Sequence, residues 1–94
     1  MKFSWNKRKA EVNRRKHGVT FEEASTVFFD FLSITISDPL HHDVEERFIT
    51  IGNSEEQRLL VVVHTDEGDK IRLISARQAT THERKKYEEN HGFQ

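Results

Sequence analysis

Residues Arg58 to Arg77 read R-L-L-V-V-V-H-T-D-E-G-D-K-I-R-L-I-S-A-R. Two runs rich in Val, Ile and Leu, Arg58 to His64 and Lys70 to Ala76, flank a polar segment containing Asp66, Gly68 and Asp69. Branched side chains pack well on a pleated surface, and glycine supplies the positive φ of a tight reversal, so the pattern predicts an antiparallel hairpin. Leu59, Val61 and Val63 should face one way and Leu60, Val62 and His64 the other. Both sets are mostly apolar, which predicts a strand in mid-sheet, covered on both faces. The second run carries Arg72 and Arg77, and a rigid strand that brings arginines to its rim suits phosphate binding. Five positions apart, they share a face only if the strand bulges or one of them reaches round the rim.

Outward from the hairpin, Trp5 to His17 predicts a first helix, with a thin stripe through Trp5, Ala10 or Lys9, Val12 and Lys16, stopped by Gly18. Thr20 and Glu23 form a capping box, and Phe21, Ala24, Val27 and Phe28 recur at helical spacing, giving a second helix over 20–29. Phe31 to Ser37 alternates in the manner of a strand with one buried face, ended by Asp38-Pro39. Arg47 to Gly52 gives another strand, and Asn53 to Gln57 a turn. A last helix opens near Gln78, with Thr80 and Glu83 as its capping box, Tyr87 and Asn90 continuing the spacing of Glu83, and Gly92 as a stop. The expected fold class is α+β: two N-terminal helices, a four-stranded, mainly antiparallel sheet and a C-terminal helix.

The 94 residues suit a single domain, 1–94, with one modest core. Apolar content of 34% against 33% charged keeps that core small. With no cysteine there is no disulfide, thiolate ligand or thiolate nucleophile. No stretch has the length or apolarity of a signal peptide or a membrane span, so a soluble cytoplasmic protein is expected. The net charge of −1 conceals an asymmetry. Residues 1–18 hold seven Lys/Arg against one acid, residues 19–69 two against twelve, and residues 70–94 six against three. If the two ends converge, they make a basic surface fit for nucleic acid on an acidic body.

Gly-rich phosphate loops and H-E-x-x-H are absent, and no Ser/His spacing is telling. His41, Asp43 and Glu45 alternate as oxygen and nitrogen donors do, but without a recognised ligand spacing, and a polar loop explains them better. The remaining His, Arg, Lys and Tyr side chains suffice for metal-independent RNA cleavage. RNA carries its own nucleophile, the 2′-hydroxyl, so an enzyme need only move protons and stabilise charge on phosphorus. Arginine serves the second task with a planar fork. Each candidate also has a plain structural reading: Arg72 and Arg77 as ion-paired arginines, His64 as a core histidine, His17 as a helix-end cation, Tyr87 as a core aromatic.

The segments K-H-G-V-T-F-E-E-A (Lys16 to Ala24) and I-S-A-R-Q-A-T (Ile74 to Thr80) carry a resemblance. With them go Trp5-Asn6, Lys9, Asn13, Val27-Phe28, Glu45-Glu46-Arg47, Ile51 to Ser54, Arg58 to Val63, Arg72-Leu73, Glu83-Arg84 and Tyr87-Glu88. Together they span nearly the whole chain, which resembles BrnT, the ribonuclease toxin of type II toxin–antitoxin systems. The resemblance implies a RelE-like fold and RNA cleavage that halts translation, without a cofactor. It also implies a dimer bound to a BrnA-like antitoxin that carries a DNA-binding domain. Arg77, Arg72, His17, Lys16, Tyr87 and His64 are then the expected catalytic set, with Lys9, Arg14, Arg15 and Arg58 on the RNA. Two other readings stay open: a non-catalytic module that binds an antitoxin or nucleic acid, and a metal-dependent nuclease using His41, His42 and Asp43.

Overall fold

A computed structural model describes residues 1–38 and 46–90. The elements are β1 (Lys2–Ser4), α1 (Lys7–His17), α2 (Phe21–Ser25) running into a 3-10 turn (Thr26–Phe29), β2 (Ile34–Ser37), β3 (Phe48–Asn53), β4 (Leu59–Glu67), β5 (Lys70–Gln78) and α3 (Thr81–Asn90). They form an α+β fold around one five-stranded sheet ordered β1-β5-β4-β3-β2. The hairpin runs as expected, with β4 in the middle and Gly68 at φ 76° in its turn. Both strands run longer than the apolar runs: β4 continues through Thr65, Asp66 and Glu67, which pair with Arg72, Ile71 and Lys70, and β5 through Arg77 and Gln78, which pair with Val61 and Leu60.

The expected four antiparallel strands become five in a mixed sheet. β1 lies parallel to β5, with Phe3 beside Ile71 and Ser4 beside Arg72. Three residues are too few for an alternating pattern to register. What anchors them is aromatic packing, with the Phe3 ring 5.4 Å from that of Phe28. The first helix also begins later than expected, at Lys7, because the Asn6 side chain accepts from Lys9 N at 3.0 Å and caps it. Likewise β2 starts at Ile34 rather than Phe31. Asp30 Oδ1 accepts from Leu32 N and turns the chain there, leaving Phe31 99% exposed. The face of β2 expected to be buried is largely open, and Ile36 is 55% exposed.

One face of the sheet carries the main core. Leu60, Val62, Leu73 and Ala76 pack there against Val19, Phe21, Ala24 and Val27. Each large side chain so buried contributes roughly 1.5–3 kcal/mol. Inside α1 the buried residue is Asn13 rather than an apolar one. Its amide donates to Val19 O (3.0 Å) and Ala76 O (2.8 Å) and accepts from Ala76 N (3.0 Å). Asn13 thus stands in for a neighbouring strand beyond the end of β1 and fastens α1 to the edge of β5. Val12, expected in the stripe, is 54% exposed.

A bulge decides where the arginines go. Val63 pairs with Ser75 but His64 pairs with Leu73, so Ile74 is an extra residue in β5. Arg72 therefore lies opposite Thr65 and Arg77 opposite Val61, on one face of the sheet. In an unbroken strand they would diverge. They stand four rungs apart, roughly 13 Å.

Candidate functional site

Two concavities flank β5. The first lies between α1 and the strand edge, encloses about 300 Å³, and is bordered by Arg8, Lys9, Val12, Lys16, His17 and Ser75. Spacings of three and four residues put Lys9, Val12 and Lys16 on one helical face, with Arg8 beside them. Arg8, Lys9 and Lys16 have no carboxylate partner among the described residues. Gly18, at φ 68°, ends α1 by bonding its N–H to Arg14 O at 2.8 Å, so the helix's negative end lies next to His17.

Arg14 and Arg15 belong to a different part of the helix surface. Both bond Glu11, at 2.6 Å and 3.2 Å, and the pairing with Arg14 first holds the Glu11 carboxyl down to about 2. Arg58 is further removed. Its guanidinium donates to both carboxylate oxygens of the buried Glu23 and, at 3.1 Å, to Gly18 O, while Ser54 donates to Glu23 Oε2 at 2.7 Å. These contacts tie the start of β4 to α2. The Arg58 hydrogen bonds lower the Glu23 carboxyl below its ordinary range.

The second concavity lies on the face that also carries Arg72 and Arg77. About 360 Å³ in volume, it is floored by Ile34, Ile36, Ile49, Ile51 and Val61. Arg77, Glu83, Lys86 and Tyr87 stand at its rim. Arg77 is closed by a two-pronged pair with Glu83, Nη1–Oε1 2.8 Å and Nη2–Oε2 2.9 Å. Hydrogen bonding from Arg77, foremost, brings the Glu83 carboxyl down to about 2. Tyr87 donates to Asp30 Oδ2 at 3.0 Å, and burial together with Asp30 raises its phenol above the ordinary value. It therefore keeps its proton at neutral pH.

Arg72 donates to Glu67 Oε2 at 3.0 Å across the hairpin. His64 is a core residue, 5% exposed, between the rings of Phe28 and Phe48. Its Nε2 is 2.7 Å from Thr50 Oγ1, which is itself 2.7 Å from Thr35 Oγ1, and burial pushes the imidazole down to about 4. It is neutral at pH 7 and lines neither concavity.

Of the expected residues, the structure brings together Lys9, Lys16 and His17 in one cleft, and Arg77 and Tyr87 around the other. It sets His64, Arg58, Arg14, Arg15 and Arg72 apart from both. Sequence reasoning passed over Arg8 and Ser75. Arg8 was recoverable from its place four residues before Val12; Ser75 enters only through the bulge. His41, His42, Asp43 and Glu45 lie outside the described residues, and among those described no three His, Asp or Glu side chains form a metal-holding group.

A family described as the ribonuclease toxin BrnT of type II toxin–antitoxin systems matches residues 5–83. The chain belongs to the BrnT family. Its structure is similar to the 1.1 Å crystal structure of the Brucella abortus ribonuclease toxin BrnT, with a TM-score of 0.65 and 30% sequence identity over 86% of this chain and 99% of that one. No curated protein matches. BrnT membership makes the chain a toxin-family component of a type II system and implies an antitoxin partner. Lys16, His17, Arg72 and Arg77 fall inside the matched BrnT segment; Tyr87 falls beyond it. Among the described residues no helix is long and apolar enough to cross a membrane.

Proposed function

We propose that this chain is a single-domain, RelE-like endoribonuclease toxin that works in the cytoplasm and halts translation by cutting RNA without a metal. The 2′-oxygen attacks the adjacent phosphorus, the bond to the 5′-oxygen breaks, and the products carry a 2′,3′-cyclic phosphate and a 5′-hydroxyl. The observation behind this reading is the cleft in which Arg8, Lys9 and Lys16 meet His17 with no carboxylate to neutralise them. Unpaired cations along a concave edge suit a phosphate backbone. His17 moves a proton and Lys16 offsets the charge growing on the phosphate oxygens. On the other face of the sheet, Arg77 becomes a phosphate-binding fork once Glu83 releases it, with Tyr87 beside it as a second proton carrier. A BrnA-like, DNA-binding antitoxin neutralises the toxin in a heterotetramer containing two toxin copies.

Purified protein incubated with single-stranded RNA in EDTA tests the mechanism. Cleavage leaving cyclic phosphate ends is expected, with Lys16→Ala and His17→Ala folded but at least about a hundredfold slower. Loss of wild-type cleavage in EDTA would sink it. A second reading, a binding module without catalysis, draws on the closed Arg77–Glu83 pair. It predicts binding of an antitoxin or nucleic acid with RNA left intact.

A further inference from the structure

Five strands about 4.8 Å apart make a sheet roughly 19 Å wide, the width of two helices lying side by side. On the core face, α1 and α2 supply that cover. The opposite face has one helix among the described residues, α3, which seats Tyr87 over the Val61 side of the groove. Beyond it Ile34, Ile36, Ile49 and Ile51 form an open apolar floor across β2 and β3, and Ile36 is more exposed than buried. With so little apolar residue to use, a chain that leaves four isoleucines in one open groove has a surface made for contact.

We propose that this groove receives an amphipathic helix of the chain's antitoxin, whose apolar stripe covers the isoleucines and whose carboxylates meet Lys86. The proposal rests on the toxin–antitoxin reading and adds the surface. The rim selects the occupant by charge. Among the described residues that line the groove the one carboxylate is Glu83, already held by Arg77, and Lys86 has no acidic partner among them. In a two-fold pairing with a second copy, the same apolar patch would face itself, and among the described lining residues the second copy would add another Lys86 and another closed Arg77–Glu83 pair rather than a free acid. A foreign segment supplies the missing acid. A helix fits the gap better than an added strand, since the uncovered area lies on the sheet's face and one helix spans about 10 Å. The groove is on the opposite side of the sheet from α1, so docking there leaves the Lys9–Lys16 cleft uncovered and acts on the site through Arg77 and α3.

Isothermal titration of the full-length toxin with the purified antitoxin from the adjoining reading frame tests this. The variants are Ile36→Glu and Lys86→Glu, with Lys16→Glu as the comparison. Ile36 and Lys86 are exposed, so thermal melts should stay near wild type. Binding should weaken at least about tenfold in Ile36→Glu and severalfold in Lys86→Glu, with Lys16→Glu unchanged. Hydrogen exchange in the complex should slow in β2 and β3. Wild-type affinity in both groove variants, a loss confined to Lys16→Glu, no binding by the wild type, or a groove-dependent dimer of the free toxin would each overturn the proposal. Binding is read as heat and cleavage on RNA, so the two readings fail separately. Groove-dependent binding with intact RNA would sink only the ribonuclease, whereas cleavage with groove-independent binding would sink only the docking surface.

Discussion

Arg77 of β5 and Glu83 of α3 form a two-pronged ion pair, and Glu83 Oε1 also accepts from Thr80 N at 2.9 Å. With Thr80 Oγ1 accepting from Glu83 N at 3.1 Å, the capping box of α3 doubles as the clamp on Arg77, the proposed phosphate-binding fork. A carboxylate there occupies the face of the fork that a phosphate would take. Glu83→Gln keeps an acceptor for Thr80 N while removing the charge. It should therefore bind single-stranded RNA severalfold more tightly, at a stability cost of about 1 kcal/mol. Fluorescence anisotropy with a labelled oligoribonucleotide in EDTA checks this. Weaker binding by a folded Glu83→Gln protein would mean that the pair builds the site rather than blocks it.

How much of this was legible in the sequence varies with the length of the signal. The β4–β5 hairpin and the Thr80–Glu83 capping box were readable because branched runs and Thr-x-x-Glu spacings are local; at α2 only the Thr20 half of the expected box forms, the Glu23 carboxylate going to Arg58 and Ser54 instead. β1 was not, since three residues carry no period and their place depends on Phe3 meeting Phe28. The bulge at Ile74 is equally silent in sequence, yet it alone puts Arg72 and Arg77 on one face. Lys16 and His17 were readable as candidates because α1 is a helix with one unpaired basic face. That Arg14 and Arg15 turn to Glu11, and Arg58 to Glu23, depends on rotamers and on packing between distant elements.

Arg58 and Glu23 give a prediction that separates a structural cation from an RNA-binding one. Glu23 is buried beneath Arg58 and Ser54, so Arg58→Ala leaves a carboxylate without its main partner. Urea unfolding should register a loss of about 2–3 kcal/mol, the partial exposure of Arg58 keeping the loss below that of a fully buried pair. RNA affinity of the folded fraction should stay within about twofold. A large drop in affinity without a drop in stability would return Arg58 to the RNA surface.

The cleft makes a quantitative claim about salt. Each phosphate contact on a single strand contributes about 0.7 to the slope of log affinity against log salt concentration. Arg8, Lys9 and Lys16 are exposed and unpaired among the described residues, so a triple alanine variant should fold normally and bind RNA with a slope flatter by about 2. Anisotropy titrations at four or five salt concentrations give the slope. An unchanged slope would show that the phosphates run elsewhere.

His64 predicts how stability responds to acid. Buried between Phe28 and Phe48, with Nδ1 lacking a partner among the described residues, it has an imidazole held down at about 4 against an ordinary 6.5. Between those values the unfolded chain takes up a proton that the folded chain refuses. The contribution is complete above about pH 6.5, and it falls steadily as pH drops toward 4, by about 3 kcal/mol in all. Glu23 and Glu83, whose carboxyls sit below the ordinary range, add their own losses at lower pH, so the histidine's share is best isolated by difference. His64→Gln removes the titrating group while keeping a polar head for Thr50. Its urea-derived stability should be lower than wild type at pH 7 but nearly flat from pH 6.5 to 5, where wild type declines. Parallel curves for the two proteins would mean that His64 titrates in the fold as it does in the unfolded chain and that another group sets the acid limb.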